Sequence, residues 1–379
     1  MKNRFRLLTV GLVGCFALAS SSFLLASAGR SVFTKDERSA AAANTTPTSG
    51  PLKTGWRVGT PQTFGNLTLF PVISEETPNT DEFITLDEGL RSGKVIVAEL
   101  DSDGRRVRNR QSAEVNQLSL VNNSGKLLIL IAGEMVIGGK QDRMVGHDCI
   151  VESNSAPVPL DVFCVEHGRW SDAGFGQSLN VESRSGSGSG TGGTAGFTAA
   201  GDAMAEPKVR EKAQAEKSQS GVWSGVAETV SANATRTATG TLNSVYEDKN
   251  VKGKLGDYER VFKTRFAGPN VVGVVVAFGG RITAADVFGS ASLFRAYWPK
   301  LLKSYALAAL GAPKSEKTTP DISAAEAFLA RVEGGGSSVN HGGGYRLVEH
   351  QSPADASFEL ESTATASPLL IHFNRVSKR

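Results

Sequence analysis

The sequence predicts an α+β fold, in which a β-rich N-terminal half and a strand–helix C-terminal half build one core. Short apolar segments separated by turn residues dominate residues 55–165, which is typical of strands. An amphipathic helix is predicted at 291–311 from apolar residues spaced three and four apart. The chain has 379 residues, of which 40% are hydrophobic and 21% charged, and this composition is sufficient for a substantial core.

The first residues have the pattern of an export signal. Three basic residues precede an apolar stretch that ends in Ala-Ser-Ala at 26–28, the small-residue pattern of a secretory cleavage site. The stretch also contains Leu-Val-Gly-Cys, ending at Cys15, which resembles a lipobox whose cysteine is lipidated. If it is not cleaved, the segment is apolar enough to serve as a marginal membrane anchor. Each outcome places the rest of the chain outside the cytoplasm, either in the periplasm or attached to the cell envelope.

Three regions are therefore predicted along the chain. Residues 1–28 are the export signal, residues 29–54 are a flexible tether, and residues 55–375 are a single α+β domain. Within the domain, the Gly/Ser-rich stretch 183–203 is predicted to be a flexible loop, because it cannot bury enough apolar surface to offset its ordering entropy. Contact with a membrane is expected only through the N-terminal segment, if it is retained or lipidated.

The elements of the domain follow from periodicity and from turn residues. Strands are predicted at 66–73, 94–100, 113–122, 126–134, 148–152, 160–166, 270–280, 345–350, 357–361 and 368–374. Helices are predicted at 206–234, 258–266, 291–311 and 323–332, with one or two helical turns at 86–93. Ser290 or Ser292 could cap the helix at 291–311, and Pro299 must either kink this helix or mark its first turn.

Charge and motif content exclude several classes of protein. The chain carries 41 basic and 38 acidic residues without a basic cluster, so no nucleic-acid partner is expected. The five histidines lack the paired spacing of zinc ligands, so no metal is predicted. No phosphate-binding loop, dinucleotide fingerprint or nucleophile elbow is present, so no cofactor is predicted. In an oxidising compartment Cys149 and Cys164 could form a disulfide, or Cys164 could remain a free thiol.

Three segments in order carry a family resemblance: GEMVIGGKQDR at 133–143, VFCVEHGRW at 162–170 and WPKLLKSYALAAL at 298–310. They resemble a bacterial domain family of unknown function, named for its association with ADP-ribosylglycohydrolase and rhodanese-phosphatase superfamily proteins. The resemblance covers roughly residues 55–375. The matching positions are Glu134, Lys140, Gln141, Arg143, Cys164, Glu166, Arg169, Trp170, Asp286, Lys300, Ser304 and Tyr305.

The leading hypothesis is a site for an anionic small molecule, such as a nucleotide or an ADP-ribose-like compound. Peptide N–H groups at Gly138 and Gly139 could form an anion-binding nest, with cations supplied by the following residues. The predicted ligand-binding residues are Lys140, Gln141, Arg143, Arg169 and Trp170. The ADP-ribose detail is implied only by the family's association.

Two alternatives remain open at this point. In the first, the domain is a hydrolase in which Glu134, Glu166 or Asp286 does acid/base work, or Cys164 is the nucleophile. In the second, the domain is a cell-envelope scaffold or protein-interaction domain, and the motif residues form a buried salt-bridge network that fixes the fold.

Overall fold

The structure, a computed structural model, describes residues 52–53, 55–101, 113–168, 196–313, 319–331, 336–365 and 367–378. These residues all belong to one compact unit spanning Pro47–Arg379. The predicted export signal and nearly all of the tether lie outside the described residues, as do Arg169 and Trp170.

The described residues form eighteen strands and seven helices, which confirms the α+β fold. The strands are β1 Trp56–Val58, β2 Gln62–Phe64, β3 Leu67–Ser74, β4 Phe83–Thr85, β5 Val95–Asp101, β6 Ala113–Asn122, β7 Leu127–Leu130, β8 Glu134–Gly138, β9 Arg143–Val145, β10 Cys149–Val151, β11 Val158–Cys164, β12 Phe197–Met204, β13 Val271–Phe278, β14 Arg281–Phe288, β15 Gly336–Gly342, β16 Tyr345–Gln351, β17 Asp355–Ser362 and β18 Leu369–Ser377. The helices are α1 Leu86–Arg91, α2 Pro207–Gln214, α3 Gln219–Ala232, α4 Leu242–Glu247, α5 Lys249–Phe262, α6 Ala291–Gly311 and α7 Ile322–Leu329. None of these helices is long and apolar enough to span a membrane.

The strands form three sheets that join the two halves of the chain. A nine-stranded sheet has the order β1-β3-β13-β14-β18-β17-β16-β15, with β2 paired to β3. N-terminal strand β3 therefore lies beside β13, and the two run antiparallel. A six-stranded sheet has the order β12-β8-β9-β11-β6-β5, and a three-stranded sheet has the order β10-β7-β4. Because the first strands complete a sheet made by the last strands, the two halves build one domain.

Helix α6 lies against both large sheets. It packs on β13 of the nine-stranded sheet and on β12 of the six-stranded sheet. The hydroxyl of Ser290 caps its start by accepting a hydrogen bond from Leu293 N at 3.2 Å. Pro299 lies inside the helix and not at its first turn. Because α6 is covered on two sides, its polar side chains at 300, 304 and 305 are buried.

The largest apolar cluster of the core draws on both halves of the chain. Leu67 and Met144 from the first half pack in the same cluster as Phe288 and Trp298 from the second. Two smaller clusters lie elsewhere in the fold, one largely within the β5–β12 region and one around α7. This arrangement places the long α6 helix, with its aromatic side chains, at the centre of the domain.

The flexible loop predicted at 183–203 extends further toward the C-terminus than the structure allows. Residues 183–195 lie outside the described residues, but Phe197–Met204 form β12, which pairs with β8. The strand forms because Phe197 and Met204 are buried, although the segment retains a glycine and several alanines. From composition alone, the entropy cost of ordering was predicted to keep this segment flexible. Burial of Phe197 and Met204 offsets that cost.

Two predicted helices also differ from the structure. The segment predicted as one helix at 206–234 forms α2 and α3, and the break between them contains Lys217 at a positive φ of 49°. Helix α5 begins well before the predicted start at residue 258. Asp248 caps α5 by accepting hydrogen bonds from two peptide N–H groups, which offsets the weak helix propensity of its glycines.

Candidate functional site

The chain leaves β7 through a turn at Ile131–Glu134 that contacts several distant segments. Ile131 N donates to Glu134 Oε2 at 2.9 Å, and Ala132 N donates to Asp148 Oδ1 at 2.8 Å. Gly133 N donates to Val145 O, and its carbonyl accepts from Ala205 N. The turn thus joins the strands before and after it to the loop that precedes α2.

Gly133 is required in this turn for two reasons. Its φ is +90°, a conformation that side-chain-bearing residues rarely adopt. A Cβ at this position would also lie 2.6 Å from Cδ and Cγ of Arg210. The absence of a side chain therefore lets the stem of Arg210 pass directly beside the backbone that leads to Glu134.

Glu134 belongs to a buried ion-pair cluster with Lys300 and Asp87, which we call the Lys300 cluster. Lys300 Nζ lies 2.7 Å from Glu134 Oε1 and 2.8 Å from Asp87 Oδ2. Burial raises the pKa of Glu134, Lys300 offsets this only in part, and the nearby charge of Asp87 raises the pKa further. Burial alone would lower the pKa of Lys300, but the two carboxylates raise it, so the ammonium remains charged. One cation thus holds together β8, α1 and α6.

Asp286 lies at the centre of a second buried cluster, the Asp286 cluster. Its members are Asp148, Arg210, Asp286, Tyr305, His372 and Asn374. Arg210 binds Asp286 through two parallel contacts, Nη1 to Oδ1 at 2.8 Å and Nη2 to Oδ2 at 3.0 Å. Tyr305 donates its hydroxyl to Oδ2, and Asn374 Nδ2 donates to Oδ1 at 3.0 Å. Burial alone would raise the pKa of Asp286, but Arg210 and His372 outweigh burial and hold it well below its usual value.

His372 connects Asp286 to Asp148. Its Nδ1 lies 2.6 Å from Asp148 Oδ2, and its Nε2 lies 3.1 Å from Asp286 Oδ1. Both partners are carboxylate acceptors, so both ring nitrogens must donate, which requires the charged imidazolium. Burial would lower the pKa of His372, but the two aspartates raise it to about 9. The ring also stacks on Phe288, with 4.5 Å between the ring centroids.

A third cluster, the Glu166 cluster, holds the turn between β8 and β9. It consists of Gln141, Asp142, Arg143, Glu166, Thr239 and Thr241. Gln141 Nε2 donates to Glu166 O at 2.8 Å, and Asp142 N donates to Glu166 Oε2 at 3.2 Å. Arg143 is fully buried, and its Nη1 donates to Gln141 O at 2.8 Å. The motif's polar side chains thus contact one another and the backbone.

Peptide N–H groups at and just after the glycine pair 138–139 donate to the chain's own carboxylates. Lys140 N donates to Glu99 Oε1 at 2.8 Å, and Gly138 N donates to Asp142 Oδ1 at 3.3 Å. Gly139 adopts a φ of +57°, and a Cβ there would lie 2.4 Å from Glu99 Oε1. The local geometry is therefore that of an anion-binding nest, in which Glu99 and Asp142 accept hydrogen bonds.

The predicted site residues are thus divided among three places. Glu134 and Asp286 lie in neighbouring clusters, connected by Gly133 and Arg210, and Glu166 lies in the third. Gln141 and Arg143 are buried with Glu166, and the side chain of Lys140 is partly exposed. The residues predicted from the sequence did not include four of the partners in these clusters, Asp87, Asp148, Arg210 and Asn374. One signal was available: His372 and Asn374 are polar residues two apart in an apolar strand, so they share a face.

Cys149 and Cys164 are free and buried, so the predicted alternative of a disulfide between them is not formed. Burial raises the pKa of both thiols, and Arg143 offsets this only partly at Cys164. A raised pKa disfavours the thiolate form that a nucleophile needs. In the part of the chain that the structure describes, no group of three or more His, Cys, Asp and Glu side chains could hold a metal ion.

Comparison with known families identifies the family of the chain. A model of the ARG and Rhodanese-Phosphatase-superfamily-associated Protein domain, ARPP-1, matches residues 55–372. The chain belongs to the ARPP-1 family. The matched part of this ARPP-1 domain begins just before β1 and ends in β18. It includes the whole Lys300 and Glu166 clusters and extends to His372 of the Asp286 cluster. No curated protein and no solved structure matches the chain.

Proposed function

We propose that this ARPP-1 domain is an exported binding module of the cell envelope whose family motif has a structural role. In this proposal the motif's charges hold the sheets and helices together, and ligands or partners are bound elsewhere on the domain. Export rests on the basic and apolar pattern of residues 1–28.

The observation that carries the proposal is the burial of the motif's charges. Glu134, Arg143, Glu166 and Asp286 are fully buried, and Lys300 is only 4% exposed. Each contacts a side chain or backbone group of another element or turn, which compensates for removing a charge from water. Such groups favour a role in fixing the fold over direct contact with a ligand in solvent.

An anionic ligand remains the second hypothesis, with Lys140, Arg143, Arg169 and Trp170 as its residues. The partly exposed side chain of Lys140 favours it. Against it, Glu99 and Asp142 accept hydrogen bonds from the N–H groups near the glycine pair, where an external anion would have to compete with them.

Arg143→Ala separates these two hypotheses. We expect this variant to lower the free energy of unfolding by about 3 kcal/mol or more, as breaking a buried polar network does. Arg260→Ala is the matched control, because Arg260 forms an exposed pair with Asp257, and the loss there should stay below about 1 kcal/mol. Denaturant unfolding of both variants measures these values.

The same proteins should be melted with a panel of nucleotides and phosphorylated compounds that includes ADP-ribose. The structural proposal predicts no stabilisation that depends on Arg143. A ligand that raises the melting temperature of the wild type and Arg260→Ala, but not of a folded Arg143→Ala protein, would replace it with the anionic-ligand hypothesis.

The hydrolase alternative has its own test. Glu134→Gln keeps the shape of the side chain but removes the carboxylate that faces Lys300. If Glu134 were an acid/base catalyst, any turnover that the wild type shows would collapse while ligand binding survives. The structural proposal predicts instead that the main effect is on stability.

A further inference from the structure

A large cavity lies beside the Asp286 cluster, between the six-stranded sheet and the β15–β16 end of the nine-stranded sheet. Its volume is about 670 Å³, within the usual range for small-molecule sites. Strand β6, strand β11 and the end of α2 form its walls together with β15 and β16. We call it the β11–β16 cavity. His147 lines it one residue before Asp148 of the Asp286 cluster, so the buried network supports one wall.

The charged side chains of the cavity already have partners. Lys217 Nζ lies 3.0 Å from Glu349 Oε2, and Asn340 Nδ2 donates to Glu349 Oε1 at 3.0 Å. Gln117 Nε2 donates to Asp161 Oδ1 at 3.0 Å. The cavity has two carboxylates, of Asp161 and Glu349, and one lysine, Lys217, so its net charge disfavours binding of an anion. Each carboxylate already accepts hydrogen bonds within the protein, which weakens its attraction for a free cation. The lining therefore suits an uncharged polar molecule.

Gln214 supplies a second, independent observation. Its side chain lines the cavity and is only 2% exposed, and its Nε2 lies 3.5 Å from Asp148 Oδ1. Its Oε1 accepts no hydrogen bond from any described residue. A buried acceptor without a donor destabilises the protein, so this amide is suited to a hydroxyl group brought by a ligand.

We infer that the β11–β16 cavity binds a small uncharged polyhydroxylated molecule, of monosaccharide to disaccharide size. The cavity is lined by four side-chain amides, those of Asn116, Gln117, Gln214 and Asn340. An amide has two N–H donors and an acceptor oxygen, so each can still hydrogen-bond a ligand hydroxyl group where one donor is already used within the protein. Phe163 adds apolar ring surface against which the C–H face of a sugar ring can pack. This inference names the class of ligand for the proposed binding module. It rests on the proposed function because it requires that the domain binds a ligand.

Calorimetric titration of the intact protein tests the inference directly. The probes are glucose, N-acetylglucosamine, maltose and cellobiose, with glucose 6-phosphate and spermidine as the anionic and cationic comparisons. We expect at least one neutral saccharide to bind, and glucose 6-phosphate to bind more weakly than glucose. Gln214→Met removes both polar atoms of the amide at similar volume and should weaken saccharide binding about tenfold.

Two further variants guard against misfolding of the Gln214→Met protein. Gln117→Ala and Asn340→Ala change partly or fully exposed side chains of the lining and should also weaken binding severalfold. Asn123→Ala, an exposed asparagine outside the lining, should bind as the wild type does.

The inference is overturned if no neutral saccharide binds, or if binding is the same in all three lining variants. It is also overturned if spermidine is the probe that binds and Asp161→Asn abolishes that binding. These outcomes concern affinity alone, so they are distinguishable from failure of the structural proposal, which is measured by the stability of Arg143→Ala.

Discussion

At the scale of single residues, Gly133 connects the two clusters that contain Glu134 and Asp286. Its backbone conformation directs the chain into β8, and its missing side chain leaves room for the stem of Arg210. A motif glycine can thus be required by packing as well as by backbone geometry. Sequence alone could propose either a turn or a close approach at Gly133, but it could not identify Arg210 as the neighbour.

Gly133→Ala should lower the free energy of unfolding by at least about 3 kcal/mol, because it combines backbone strain with displacement of Arg210. Gly201→Ala is the matched control. Gly201 also has a positive φ, of 62°, but an added Cβ would meet no atom within 4 Å. Its substitution should therefore cost only the strain, about 1–2 kcal/mol. Equal losses in the two variants would contradict the packing role assigned to Gly133.

His372 predicts how stability depends on pH. Its pKa in the folded protein, about 9, lies above the ordinary value of 6.5, so folding favours the protonated ring. The stabilisation is complete below the ordinary pKa and is lost as the pH rises through about 9. The loss should amount to about 3 kcal/mol. Denaturant unfolding at a series of pH values between 6.5 and about 9 measures this loss of free energy.

His372→Gln should remove this pH dependence, whereas His341→Gln should keep it, because His341 is exposed. A wild-type stability that stays constant over this interval would mean that His372 is not held as an imidazolium between Asp148 and Asp286.

At the scale of elements, local signals predicted some parts of the fold well. Helix α6 has the predicted bounds, because its apolar spacing and its Ser290 cap point to the same element. The failures occur where tertiary contacts outweigh composition. Phe197–Met204 resembles the low-complexity stretch before it, but pairing with β8 makes it a strand. Helix α2 stops near Lys217 although the segment that continues into α3 still favours helix by composition.

The same limit applies to the candidate site. Family resemblance identified Glu134, Asp286 and Lys300, which are all central to buried clusters. It did not supply Arg210, which is 76 residues away from Asp286 in sequence. A contact of this kind depends on how α2 is placed against β14, and no local pattern in the sequence specifies that placement.

At the scale of the whole molecule, the buried clusters connect elements that the apolar core also packs together. The Lys300 cluster joins α6 to α1 and β8, and the Asp286 cluster joins α2 and α6 to β14 and β18. Apolar contacts alone tolerate some sliding between layers, whereas paired charges with fixed geometry do not. We therefore regard these clusters as the framework that sets the position of the β11–β16 cavity.

We hold that the buried clusters around the motif residues stabilise the fold. The most direct test compares two cations on α2, of which Arg210 pairs with Asp286, one of the positions that match the family. Arg210 and its partner Asp286 are almost completely buried, whereas Lys208 and its partner Glu228 are each more than half exposed. Denaturant unfolding of Arg210→Met should show a loss of about 3–5 kcal/mol, because Asp286 is left as a buried charge without its main partner. Lys208→Met should change the free energy of unfolding by less than about 1 kcal/mol. Similar small losses in both variants would contradict the structural role of the motif.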